Sequence, residues 1–293
     1  MRINHNVAAM IGHISIARNQ KVLTQSLERL STGLRINRAS DDAAGLSVSE
    51  QLRTQIRGLA VARRNGEQGI ALLQIAEGAA SEISSIIQRM RELAVQSAND
   101  TLTSIERGYT DTEFQSLMTE ISRISQATQY NGMTLLDGGA NSFGVSGGAS
   151  VIHIGANNNS GSTSGTVDSM SIAVDSLTLG ALGITLSTAG VTSTNITNQV
   201  NATGALTAID TAIRSINNMR SDLGAYINRL DHAINNAANQ ELNTQNAESM
   251  IRDVDFALET TNFSKAQILT QASAAMLAQA NALPSSILPL ITG

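Results

Sequence analysis

The chain has 293 residues, 19 Lys and Arg against 24 Asp and Glu, and no cysteine. A net charge of −5 with only three Tyr, four Phe and no Trp argues against nucleic acid as a main partner. The missing cysteines exclude disulfides, thiolate metal sites and cysteine nucleophiles. The hydrophobic fraction is 42 %, so the apolar mass is Ala, Leu, Ile, Val and Met. Such side chains fill narrow seams between helices better than the wide interior of a globule. No run approaches the ~18 consecutive apolar residues of a membrane-spanning helix. Residues Val7 to Ala17 follow Arg2 in the manner of a signal peptide, but Gly12, His13 and Ser15 interrupt them. No A-x-A site follows, which predicts that the segment is retained.

In chain order, Ile3, Val7, Met10 and Ile14 form one apolar row at three-four spacing, and Leu23, Leu27, Leu30 and Leu34 a second. The phase break between them has the form of a stutter. A polar stretch from Ser31 to Gly45 follows, in which Ser40 is the predicted N-cap and Asp41 and Asp42 suit the helix's positive end. The next helix is predicted from about Ala43 to Ala98, roughly 80 Å at 1.5 Å per residue. Another covers Ile105 to Thr128, with Phe114, Leu117, Ile121 and Ile124 inward, and ends at the turn signal Asn131-Gly132.

From Met133 to Asn201 charges nearly vanish and Gly, Ser, Thr and Asn dominate. Val151 to Ile154, Met170 to Val174 and Ile184 to Leu186 read as strands, and Asn157 to Gly165 as a loop tip. Helix returns with Leu206, Ile209, Ile213, Ile216, Leu223, Ile227, Leu230, Ile234 and Ala237, broken in spacing only at Arg220. The last helical stretch runs from about Leu242 to Asn281. Ile251, Val254, Leu258 and Ile268 mark one face of it, while Met250, Phe263, Leu269, Met276 and Leu277 spread apolar surface around it. A helix that is apolar on several sides must be buried on several sides. The sequence therefore predicts a mainly α chain: a long antiparallel coiled-coil or bundle rod formed by the N- and C-terminal segments, with a small β-rich insert. Its sticky ends order on self-association.

Catalytic motifs are weak. Gly144 to Gly148 fits G-x-S-x-G around Ser146, with His153 behind it, but the strand–serine–helix context is missing. His5, His13, His153 and His232 lack partners at ligand spacing, and no phosphate-binding loop occurs. The reading is of a protein that is not an enzyme and needs no cofactor or metal.

The blocks MRINHNVAAM, Leu30 to Leu59, Gln88 to Asn99, Thr128 to Gly138, Arg220 to Asn236 and Ala247 to Asn281 are long and colinear. In them the chain resembles bacterial flagellin, the flagellar filament subunit. The resemblance covers about residues 1–138 and 203–291.

It implies a homopolymeric hollow filament used for motility, in which 1–45 and 241–293 form an inner tube. Residues 46–132 and 203–240 would form the long-helix domain and 133–202 a short surface insert, with no large outer domain. Inner-core packing would fall to Ile3, Val7, Met10, Ile14, Leu23, Leu27, Leu30, Ile251, Val254, Leu258, Ile268, Leu269, Met276 and Leu277.

The resemblance further implies secretion by the flagellar type III export apparatus, an export chaperone on the C-terminal helix, and hook-associated and cap proteins as neighbours. Arg89, Leu93 and Glu113 match the positions through which Toll-like receptor 5 recognises flagellins. Ser160, Ser162, Thr163 and Ser164 are candidate O-glycan acceptors. A hook–filament junction protein, with related terminal helices, is the alternative. The tail LPSSILPLITG departs from the Leu-rich end and Arg of many relatives.

Overall fold

The computed structural model describes residues 6–139, 142–143, 150–157, 167–185 and 194–285. Five helices dominate these residues: α1 (Val7–Thr32), α2 (Ala43–Ser97), α3 (Ser104–Ala127), α4 (Gln199–Arg252) and α5 (Phe256–Ser285). Four short strands lie between α3 and α4: β1 (Gln129–Tyr130), β2 (Met133–Thr134), β3 (Ser150–His153) and β4 (Ser169–Ile172). The mainly α architecture with a small β-containing middle is as the sequence predicts. The chain divides into two units, one of residues 1–54 and 242–293 and the other of residues 55–241.

In the terminal unit, Asn6 caps α1, its side chain accepting the Ala9 N–H at 3.0 Å. Gly33 ends the helix in the left-handed region at φ 74°, its N–H donating to the Arg29 carbonyl. The predicted N-cap of α2 needs correction. Asp42, not Ser40, accepts the Gly45 N–H at 2.9 Å, one turn into the helix. Asp41 turns back to accept the N–H groups of Asn37 and Arg38 at 3.2 and 3.0 Å. The Arg38 N–H holds the Asp41 carboxyl below the ordinary range. Ser40 loses the cap because the loop's own turn at Asp41 places it before the helix begins.

The last helical stretch also differs from expectation. Helix α4 runs unbroken to Arg252, and the interruption falls at Asp253–Asp255. Asp255 then opens α5 by accepting the N–H groups of Ala257 and Leu258 at 2.9 and 3.1 Å. The two interhelix linkers pair with each other. The Arg35 N–H donates to the Arg252 carbonyl at 2.7 Å and the Val254 N–H to the Gly33 carbonyl at 3.0 Å.

In the central unit, α2, α3 and α4 share one core with the strand segment. Leu73, Ile83, Ile87 and Met90 of α2 meet Phe114, Met118 and Ile121 of α3 and Ile209, Ile216 and Leu223 of α4. Leu135, Leu136, Met170, Ile172, Leu177 and Ile184 cover this seam from the middle of the sequence. The low-charge segment thus supplies core side chains as well as loops.

Thr103 and Glu106 form a capping box at α3, and the Thr103 N–H and hydroxyl hold the Glu106 carboxyl below its ordinary range. A carboxyl lowered in the folded state stabilises above its unfolded value, ~4.3, and loses that contribution as pH falls through the folded value. Thr103→Ala is expected to cost about 1 kcal/mol and to flatten the acid limb of stability, measured by urea titration from pH 6 to pH 3.

Asn131 and Gly132 join β1 to β2 with φ of 49° and 78°. Both central residues at positive φ define the tight hairpin turn that suits strand twist. The turn reading of Asn131-Gly132 holds, and Gly132→Ala is expected to lower unfolding free energy by ~1 kcal/mol in the same titration.

Strands β3 and β4 pair antiparallel, with Ile152 opposite Met170, near the predicted positions. The third predicted strand does not form at Ile184 and Thr185. Residues 178–183 wind into a turn ending at Gly183, φ 72°, which directs the Ile184 N–H onto the Leu179 carbonyl. Leu186 lies outside the described residues.

Candidate functional site

The terminal unit is built on the pairing of α1 with α5. On α1, the residues turned to the partner are Ala9, Gly12, Ile16, Asn19, Leu23, Ser26 and Leu30, a three-four series in which small and polar types prevail. The matching series on α5 is Glu259, Phe263, Ala266, Thr270, Ser273, Leu277 and Ala280. Small residues let the two backbones approach. A Cβ at Gly12 would lie 3.2 Å from Leu277 Cδ1, already tighter than ordinary contact.

Polar side chains then fix the register. Asn6 donates to the Ala280 carbonyl at 2.9 Å, and Asn19 to Ser273 Oγ at 3.0 Å. Glu259 is 6 % exposed, with Arg29 at 3.7 Å.

The seam takes Ile16, Leu23, Leu30, Phe263 and Leu277 beside its small and polar residues, and a second set of large apolar side chains points away. Val7, Met10, Ile14 and Leu27 of α1 are exposed, Ile14 at 65 %. On α5, Leu258, Ile268, Leu269 and Met276 are exposed, Met276 at 68 %. Leu23, Leu30 and Leu277 are half-buried in the seam, as are Ile251 and Val254 near the linker. Ile3 lies outside the described residues. An apolar groove of about 410 Å³ opens between Ile11 and Gly12 on one helix and Leu269, Ser273 and Met276 on the other. Side chains of this kind left in water on one pair of helices mark an interaction surface.

In the central unit, Arg89 bridges two helices. Its Nε donates to Glu113 Oε1 at 2.9 Å, and a second guanidinium nitrogen lies 2.9 Å from Glu92. Glu113, and then Glu92, push the Arg89 pKa up. Leu93 is 2 % exposed and belongs to the chain's own core, while Arg89 and Glu113 face solvent. The structure therefore places the three residues close together but presents only two of them.

Ser160, Ser162, Thr163 and Ser164 lie outside the described residues, as does the Gly144–Gly148 motif. His153 is exposed, and its carbonyl accepts from Asn65 Nδ2 at 3.2 Å. Among the described residues no three acidic or histidine side chains gather as metal ligands. Helix α2 holds one window long and apolar enough to cross a membrane by composition, and part of it is buried inside the fold.

Comparison with known proteins decides what the terminal surface belongs to. Residues 3–141 match the bacterial flagellin N-terminal helical region, and residues 206–291 match the bacterial flagellin C-terminal helical region. A flagellin of Halalkalibacterium halodurans is 44 % identical over 99 % of this chain and 100 % of its own.

The chain belongs to the bacterial flagellin family.

The flagellar filament 33 kDa core protein of Treponema phagedenis is 40 % identical, again over 99 % of this chain and 100 % of its own. Among solved structures, a Vibrio parahaemolyticus protein assigned as hook-associated aligns with a TM-score of 0.54 at 19 % identity. It covers 72 % of this chain and 99 % of its own, a likeness of fold alone. This flagellin is thus a structural subunit of the flagellar filament, and its family is one of structural proteins. Sequence reasoning named residues of both surfaces, Leu23, Leu30, Phe263 and Leu277 in the seam and Val7, Met10 and Ile14 outside it, but missed the small and polar seam positions. The signal was the recurrence of Gly12, Asn19 and Ser26 in heptad steps.

Proposed function

We propose that this flagellin polymerises through the outward apolar faces of α1 and α5, working by packing and not by catalysis. The observation that carries the reading is a second apolar surface: Val7, Met10, Ile14, Leu258, Ile268 and Met276 stay outside the pairing, while the seam takes Ile16, Leu23, Leu30, Phe263 and Leu277 with its small and polar residues. Residues 1–45 and 241–293 then form the inner tube, 46–132 and 203–240 the long-helix domain, and 133–202 a short insert. At roughly 25 cal/mol per Å², burial of a few thousand Å² per subunit offsets the cost of fixing the terminal segments.

The same exposed surface requires cover before assembly. That supports passage through the flagellar type III export apparatus, with an export chaperone on α5 until then. The destination is extracellular, in a filament bounded by hook-associated and cap proteins. Toll-like receptor 5 recognition falls to Arg89 and Glu113, with Leu93 supporting them from beneath. Ser160, Ser162, Thr163 and Ser164 remain the candidate glycan acceptors.

The test is negative-stain electron microscopy of purified protein after addition of a precipitating salt. The full chain is expected to give long uniform filaments, and a chain lacking 1–40 and 245–293 none. Monomers or short rings from the full chain would overturn the reading in favour of a junction protein that binds filament ends.

A further inference from the structure

Helix α4 stops at Arg252 in a stretch that holds no helix breaker. No Gly or Pro occurs from Ala225 to Leu283, and the three-four apolar spacing continues through Ile251, Val254 and Leu258. Local sequence alone therefore favours one helix across the whole stretch.

The hydrogen bonds of the terminal unit show what intervenes. The Asp253 N–H still donates to the Ser249 carbonyl, in the helical pattern. Three further bonds would carry the helix onward: Val254 to Met250, Asp255 to Ile251 and Phe256 to Arg252. The segment that follows α1 takes one partner from each of them. The Val254 N–H donates to the Gly33 carbonyl at 3.0 Å, and the Arg252 carbonyl accepts the Arg35 N–H at 2.7 Å. The Ile251 carbonyl accepts from the Arg35 guanidinium. Leu34 and Asp253 face each other across this short antiparallel bridge.

We infer that residues 251–256 are a two-state joint, an unbroken helix by default and a break once Gly33–Arg35 docks on it. Arg35 caps α4 from the other end of the chain, closing two of the four carbonyls that a helix end leaves open. Each of the three helical bonds forgone is replaced by one bond to the linker, so hydrogen bonding alone barely separates the two forms. Asp255 then seals the far side, its carboxylate accepting the Ala257 and Leu258 N–H groups. The C-terminal segment thus takes its two-part form only when the N-terminal segment has reached it. The joint belongs to the single chain and does not depend on polymerisation.

The test reads the backbone at the joint itself. Asp253–Val254 is the sole Asp-Val step in the sequence. Full-length protein made with aspartate isotope-labelled at the carbonyl carbon and valine labelled at nitrogen gives one coupled signal by NMR. The Asp253 carbonyl resonance lies downfield in a helix and upfield in extended backbone. The parent is expected to show the extended value. Arg35→Pro removes both donors of Arg35 and is expected to shift the resonance to the helical value. Asp255→Ala removes the cap of α5 but leaves the linker bonds, and is expected to keep the extended value.

A second chain makes the switch reversible. Leu34→Cys and Asp253→Cys are added to Arg35→Pro, and the label moves to the cysteine carbonyl. Residues that face each other in this way lie about 4.5 Å apart at Cα, a separation that a disulfide spans. The signal is expected to be helical when the chain is reduced and extended when it is oxidised. An extended or unstructured carbonyl in Arg35→Pro and in the reduced chain would overturn the inference. So would a helical value in Asp255→Ala, which would assign the break to the cap and not to the linker.

Discussion

Ile14→Asp and Met276→Asp, made separately, are each expected to abolish filament formation while leaving the monomer folded. Both side chains are about two-thirds exposed in the chain alone, so the monomer tolerates a charge at either position. In a polymer that buries them, each substitution forfeits ~2 kcal/mol of apolar burial and adds the larger cost of an unpaired buried carboxylate. The combined loss raises the protein concentration needed for assembly by more than about 100-fold, since each 1.4 kcal/mol is a factor of ten. Light scattering after salt addition reads the assembly, and circular dichroism with urea titration reads the fold.

Ala9→Leu provides the contrast, because Ala9 belongs to the series between α1 and α5. It is expected to disturb the pairing itself, so helix signal and assembly fall together. If Ile14→Asp assembles normally, the outward face of α1 is not the contact surface.

Why the sequence disclosed the outward apolar row of α1 more readily than the small and polar seam positions follows from what periodicity detects. A search for large apolar residues at three-four spacing finds Val7, Met10 and Ile14, which point outward. The seam positions Gly12, Asn19 and Ser26 are small or polar and silent in such a search, which registers Leu23 and Leu30 of that series alone. In the central unit the two coincide. Leu73, Ile83, Ile87 and Met90 are large, periodic and buried, and α2 and α3 begin and end within a residue of the predicted positions.

Failures elsewhere have local causes. Asp253–Asp255 interrupts the helix without a Gly or Pro, through side-chain capping by Asp255 and backbone pairing of Val254 to Gly33 across 221 residues of sequence. Ile184 has strand composition, but Gly183 at positive φ commits its N–H to a turn. Neither outcome is written in hydrophobic period.

The residues proposed for receptor recognition differ in burial, and a separation of Leu93 from Arg89 is expected. Leu93 is 2 % exposed in the core shared with α3 and α4, so Leu93→Ala removes buried methyl groups and leaves a cavity. Its cost is expected to be 2–5 kcal/mol, in the range that such deletions show. Arg89→Ala removes an exposed guanidinium whose pairs with Glu113 and Glu92 contribute little to the fold. Its stability should stay within about 0.5–1 kcal/mol of the parent.

In a cell reporter for Toll-like receptor 5, Arg89→Ala is expected to reduce the response without a change in the urea midpoint. Leu93→Ala should reduce the response only in proportion to its lost stability. A second variant, Leu93→Met, keeps the volume nearly constant and should restore both stability and signalling. If Leu93→Met folds like the parent but fails to signal, Leu93 contacts the receptor directly and must leave the core to do so. An unchanged response from Arg89→Ala would remove this arginine from the recognition surface, leaving it as a tie between α2 and α3.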